Sequence, residues 1–121
     1  MFKKLIFGLS LWLFATTLSF GANFDDGVNA YEKGDYKTAL TIFEDLAKKG
    51  DIDAQYNLGL MYDNGYGVKQ DYKKAFEWYE KAANQGYASA QNNLGVMYSI
   101  GQGVKQDYKK AFEWYEKAAN Q

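Results

Sequence analysis

The sequence predicts an all-α fold of helix pairs stacked side by side, and three observations lead there. The stretch GVKQDYKKAFEWYEKAANQ occurs twice, at residues 67–85 and 103–121, so the chain repeats itself at an offset of 36 residues. Within that stretch Tyr72, Ala75, Phe76, Tyr79, Ala82 and Ala83 recur at spacings of three and four, the period of one apolar helix face. Proline is absent, and no run of alternating β-branched residues marks a sheet. A repeat period of about 20–50 residues is the mark of a solenoid, in which no unit can bury its apolar face without its neighbours.

Residues 1–21 stand apart from the repeats. Lys3 and Lys4 make a short cationic start, residues 5–20 are mostly apolar, and Ser19 and Gly21 are small residues at the minus-three and minus-one positions of a cut before Ala22. This is the outline of a signal peptide. The apolar run of 16 residues is short of the ~20 needed to span a bilayer, so no membrane span is expected after cleavage. The absence of cysteine excludes a lipoprotein anchor. A periplasmic or secreted protein is expected.

Residues 22–50 form a diverged first unit. At the same offset Asp35-Tyr36-Lys37 matches Asp71-Tyr72-Lys73, Ala39 matches Ala75, Phe43 aligns with Tyr79, Ala47 with Ala83 and Gly50 with Gly86. Its inter-helix connection, Glu32-Lys33-Gly34-Asp35, is the shorter one and calls for a tighter turn.

Residues 51–86 form the second unit. Its helix A is expected over residues 53–63, with Asp53 as cap and Ala54, Leu58, Met61 and Tyr62 on the apolar side. Glycines 65 and 67 then permit the turn. Helix B follows over residues 71–85, capped by Asp71 and stopped by Gly86, with Lys73, Glu77 and Lys81 four apart on an exposed face. Residues 87–121 repeat the plan, with Ser89 expected to cap helix A. The record stops at Gln121, one residue before the glycine that ends the other helices B. This unit is expected either to be truncated from a longer array or to dock on a partner or a second copy of the chain.

Composition narrows the function. All 14 cationic residues are lysine, and the net charge is −1. Removing Lys3 and Lys4 leaves 12 lysines against 15 acids, a charge near −3. Such a surface offers neither the basic excess nor the bidentate arginines of nucleic-acid readers. Histidine and cysteine are both absent, which removes the commonest metal ligands, thiol chemistry and the one side chain that titrates unperturbed near neutrality. No metal or other cofactor is expected. The glycine loops follow no strand and lack the Gly-Lys-Ser/Thr ending of a phosphate loop.

Over residues 54–86 the pattern Ala-Gln-Tyr-Asn-Leu-Gly-x-Met-Tyr-x-x-Gly-x-Gly-Val, then Asp-Tyr-x-Lys-Ala-x-x-Trp-Tyr-x-Lys-Ala-Ala-x-x-Gly, resembles the Sel-one-like repeat, and residues 87–121 carry it again. The first unit, without the longer glycine loop, is more similar to a plain tetratricopeptide repeat. The resemblance implies a right-handed α-α superhelix of antiparallel helix pairs, helices A lining a concave surface and helices B forming the convex back. It also implies an adaptor that binds a protein or peptide, at the cell envelope or in host interaction.

By the same analogy the groove would present the helix-A positions left out of the core. These are Asp25, Asp26 and Asn29 in unit one, Asp53, Tyr56, Asn57, Leu60 and Asp63 in unit two, and Ser89, Asn92, Asn93, Val96 and Ser99 in unit three. Units two and three act as each other's control. Helix B is unchanged between them, whereas Tyr56 becomes Asn92, Leu60 becomes Val96 and Asp63 becomes Ser99. Recognition by a varied face on a copied framework explains this contrast, and neutral drift on a solvated surface is the alternative. Asn57 and Asn93 stand where related domains place an asparagine that bonds a peptide backbone, an ordinary hydrogen bond being the other role. Helices A carry no lysine, so a neutral or basic segment suits this face better than a carboxylate terminus.

Some cysteine-rich relatives implied by the resemblance are linked to β-lactam binding or hydrolysis. Here the disulfides are missing, and Ser89 and Ser99 lack a lysine three residues on. Asp35, Asp53, Asp71 and Asp107 read as helix caps, and Glu77, Glu80, Glu113 and Glu116 as a solvated face, which leaves no acid and base pair for catalysis. The expectation is a binding scaffold and not an enzyme.

Overall fold

A computed structural model describes residues 21–121. The expected leader, apart from Gly21, lies outside them. Six helices follow in order: α1 (Phe24–Glu32), α2 (Tyr36–Lys48), α3 (Ile52–Asn64), α4 (Tyr72–Asn84), α5 (Ala88–Ile100) and α6 (Tyr108–Ala119). Each packs chiefly on its neighbours in sequence, and no strand occurs among the described residues. The fold is the expected all-α solenoid, its pairs being α1/α2, α3/α4 and α5/α6.

Short side chains start most of the helices. Asn23 and Asp26 form a reciprocal capping box at α1, with bonds of 3.0 and 2.9 Å. Asp35, Asp71 and Asp107 accept from the third backbone N–H of α2, α4 and α6. Two expected caps are corrected. At α3 the cap is Asp51, bonded to the Ala54 N–H at 2.9 Å, and Asp53 lies inside the first turn. The reason is the bend before it: Gly50 adopts φ +99° and the Asp51 N–H returns to the Leu46 carbonyl, so the helix starts at once. At α5 Ser89 is likewise inside the helix, and the cap position holds Tyr87, which makes no side-chain capping bond.

Between the helices of each pair, a helix-A glycine receives a helix-B ring. A Cβ at Gly59 would stand 2.5 Å from the Tyr79 ring, and one at Gly95 2.5 Å from Tyr115. Gly27 stands in the same relation to Phe43, at 2.6 Å. Helix A therefore surrenders a side chain to let the aromatic ring reach its backbone, a close approach only glycine allows.

Between successive pairs, two devices recur. Gln55 and Gln91 are buried, and their amides donate to the Ala47 and Ala83 carbonyls at 3.2 and 3.1 Å, near the end of the preceding helix B. Each also accepts from a glutamine at the end of its own pair, Gln85 at 2.8 Å and Gln121 at 3.3 Å. These helix-end carbonyls also accept the Gly50 and Gly86 N–H groups at 3.0 Å, so the glutamines supply a second bond to each out of reach of water. The second device is the glycine loop. A Cβ at Gly67 would meet the Tyr36 carbonyl oxygen at 2.7 Å, and one at Gly103 would collide with the Tyr72 carbonyl oxygen. The glycines thus do more than turn the chain. They let each loop sit against the first residue of the preceding helix B.

The core comprises Ala54, Leu58, Met61 and Tyr62 of α3 with Ala75, Tyr79, Ala82 and Ala83 of α4, and continues through Ala90, Leu94, Met97 and Tyr98. All four residues expected on the apolar side of helix A are in it. Identical sequence does not give identical burial, however. Phe76 packs edge-on against Tyr98, with centroids 5.4 Å apart at 87°, whereas its copy Phe112 is 66% exposed. Among the described residues no fourth pair covers it.

Candidate functional site: the helix-A face

Asp53, Tyr56, Asn57, Leu60 and Asp63 recur at three and four residues along α3, opposite its buried stripe. Ser89, Asn92, Asn93, Val96 and Ser99 occupy the same positions of α5. The structure gathers some of these residues around two tyrosines from other elements. Tyr79 of α4, fully buried, donates its hydroxyl to the Asp63 carboxylate at 3.0 Å, with Asn93 of α5 beside the same hydroxyl. Burial first, then the charge and hydrogen bond of Asp63, hold the Tyr79 phenol well above the usual tyrosine value. Tyr87, at the start of α5, packs on Tyr56 with ring centroids 4.8 Å apart at 59°. Its phenol is raised by burial, and then by Asp53 and Tyr56. Tyr56 also meets Tyr79 at 5.7 Å, so it joins the two groups.

The remaining positions are self-contained. The Asn57 amide donates one N–H to the Asp53 carbonyl of its own helix at 2.8 Å. The Ser99 hydroxyl donates to the Val96 carbonyl at 2.8 Å. Leu60 is half-buried against the core, and Ser89, Asn92 and Val96 are exposed.

In the first pair the expectation is corrected. Gly27 takes the place of Gly59, each against a helix-B ring, so α1 aligns with α3 at an offset of 32, not 36. Asp26 then corresponds to buried Leu58 and Asn29 to buried Met61. Both line a cleft with Lys33, Asp35, Thr38 and Ile42 at the first pair's outer side. They are polar versions of stacking positions, and Asp26 is also part of the capping box. Asp25 does align with Asn57 and is exposed.

Electrostatically the face differs from its reverse. Neither α3 nor α5 holds a lysine, whereas α4 and α6 each hold three. Lys74 and Lys110 sit over the Tyr62 and Tyr98 rings, Lys81 and Lys117 over Trp78 and Trp114, at 4.4 to 5.8 Å. None of these lysines covers Tyr56 or Tyr87. Among the described residues the ion pair is Lys49 with Asp45, so Asp53 and Asp63 have no cationic partner. Sequence reasoning missed Tyr79 and Tyr87, the first because it lies in the copied helix B, the second because it precedes the helix. The one available signal for Tyr87 was a tyrosine where the other repeat has the capping Asp51.

Comparison with known proteins agrees with this architecture. The sequence model of the Sel1 repeat matches residues 52–87 and 88–121. Among solved structures the chain is similar to a Sel1 repeat protein from Oxalobacter formigenes, with TM-score 0.77 and 38% identity, over 81% of this chain and 40% of that one. It is also similar to c5321, described as a protective antigen of uropathogenic Escherichia coli strains with this repeat fold, with TM-score 0.76 and 40% identity, over 80% of this chain and 22% of that one. Cysteine-rich protein B of Helicobacter pylori shares the fold at TM-score 0.66 and 21% identity, over 83% of this chain and 91% of that one. The chain therefore spans well under half the length of the first two. No curated protein sequence matches it. Two matched repeats, with the helix-pair architecture of these structures, make the chain a member of the Sel1 repeat family.

Proposed function

We propose that this protein is an exported, non-catalytic scaffold that binds a protein or peptide segment on its helix-A face, the concave side of the superhelix. Sel1 repeats are generally protein-interaction scaffolds. The observation that carries the reading is the contrast between copies: α4 and α6 are identical over Tyr72–Asn84 and its counterpart, while the surface positions of α3 and α5 differ in charge and aromaticity. Packing explains the constant part, and a ligand explains the varied one. Export rests on the leader read in residues 1–21, and among the described residues no helix is long and apolar enough to cross a membrane.

Affinity capture from an envelope extract tests the proposal. The chain without its leader is compared with a helix-A variant (Asn57→Ala, Asn93→Ala, Val96→Glu) and a helix-B variant (Lys81→Glu, Lys117→Glu). The expected result is one specific protein retained by the parent and the helix-B variant and lost by the helix-A variant. Loss with the helix-B variant alone would place binding on the other side.

A second reading has its own observation. Tyr108, Phe112 and Tyr115 are exposed, yet the same sequence in α4 is covered by α5 and its loop. This face fits another helix pair of the same kind, from the same polypeptide or a second copy. Sedimentation of the exported chain separates the two: concentration-dependent dimerisation lost in Phe112→Glu supports self-association.

A further inference from the structure

Tyr87 breaks a rule that every other described helix obeys. Five of the six helices begin at Asn or Asp with a side-chain capping bond, and α5 begins at Tyr87 without one. The equivalent residue of the preceding repeat is Asp51, which caps α3 at 2.9 Å. Forgoing such a cap costs a helix about 1 kcal/mol. A local rule broken without local gain is the usual trace of a functional site. What the tyrosine gains is its place on Tyr56, half-buried with its ring inclined at 59°. Rings so inclined do not spend their faces on one another as a parallel stack does. Asp53 lies one turn before Tyr56 on the same helix face and acts on the Tyr87 phenol. The third pair has no counterpart, because Asp53 and Tyr56 become Ser89 and Asn92 there.

We infer that Asp53, Tyr56 and Tyr87, at the junction of the second and third helix pairs, seat a lysine or arginine side chain of the bound peptide. The inference rests on the helix-A reading above and names the chemistry of its ligand. Two aromatic rings and a carboxylate without a cationic partner complement an alkyl stem ending in a positive charge. The rings elsewhere that lie near lysines are already covered by them. The carboxylates of Asp53 and Asp63 on α3, with no lysine on either α3 or α5, draw the same kind of segment to this part of the face.

The test is selection from a phage-displayed library of random dodecapeptides on the full exported chain, followed by affinity measurement with synthetic peptides. Enriched sequences are expected to share a lysine or arginine at one fixed position. Replacing it by norleucine or citrulline is expected to weaken binding roughly tenfold or more. Two protein variants are expected to lose the same factor. Asp53→Ser with Tyr56→Asn carries residues already tolerated at Ser89 and Asn92, and Tyr87→Asn restores a capping side chain, so neither should lower the melting temperature enough to explain a loss. Cation-dependent peptides that bind both variants like the parent would overturn the seat. So would enriched peptides with no fixed cation, while peptide binding on the helix-A face would stand if those peptides were lost on Val96→Glu. Failure to enrich any peptide would sink both.

Discussion

Gly59 and Tyr79 fit together with no room for a methyl group: a Cβ on the glycine would lie 2.5 Å from a ring that is itself fully buried. The relation joins helix A to helix B of one repeat and recurs at Gly95 and Tyr115. Overpacking of this kind costs about 1–3 kcal/mol, against up to ~1 kcal/mol gained when alanine replaces glycine within a helix. Gly59→Ala is therefore expected to destabilise the fold in urea titration. Gly95→Ala should cost clearly less, because Tyr115 is 37% exposed and free to swing outward. Equal losses would contradict this account.

Gln55 is 5% exposed and serves the Ala47 carbonyl and Gln85 together. Gln55→Leu keeps the bulk and removes both bonds, leaving the Ala47 carbonyl with only the Gly50 N–H and the Gln85 amide without its closer acceptor. The expected loss is about 1–3 kcal/mol for the two bonds, with Gln91→Leu costing less because its bond from Gln121 is longer, 3.3 Å against 2.8 Å. Chemical denaturation of the two variants decides.

The corrected cap at α3 is open to direct measurement. Asp51→Ala is expected to lower stability by about 1 kcal/mol, and Asp53→Ala by a few tenths, since its charge merely favours the helix dipole. The opposite order in thermal melts would return the cap to Asp53.

Gly67 and Gly50 both adopt positive φ, +71° and +99°, but only Gly67 faces a neighbour, the Tyr36 carbonyl. Gly50→Ala is expected to cost about 1–2 kcal/mol for the left-handed conformation alone. Gly67→Ala should cost more, and should also loosen the stacking of the first two pairs, visible as faster amide exchange in α2.

Tyr79 makes stability depend on alkaline pH. Its phenol is raised in the folded state by burial and by Asp63, so the neutral form is favoured by folding. That contribution is complete below the ordinary tyrosine value of 10.0 and is lost progressively as pH rises above it. Tyr31, Tyr62 and Tyr87 are raised in the same direction. Urea titrations from pH 9 to 11 should therefore show falling stability. Tyr79→Phe should be about 1 kcal/mol less stable at neutrality, having lost the bond to Asp63, and should show a shallower decline above pH 10.

The sequence by itself determined the helices, their pairing and the apolar stripe of Ala54, Leu58, Met61 and Tyr62, because helix period, caps and glycine stops are local properties that a 36-residue self-comparison exposes. It also marked the helix-A positions that differ between copies. Only the tertiary structure decided what each copy of an identical residue does. Phe76 is covered and Phe112 bare, and Tyr79 is sealed between two helices A while Tyr115 is partly open, because burial in a solenoid is supplied by the next unit. For the same reason Gln55 is buried although its type is ordinarily exposed, and Gly67 answers to the backbone of Tyr36 rather than to its own turn alone. Tyr87 joined Tyr56 and Asp53 only once α4 had carried the chain back beside α3, a contact across 31 residues that no local pattern encodes.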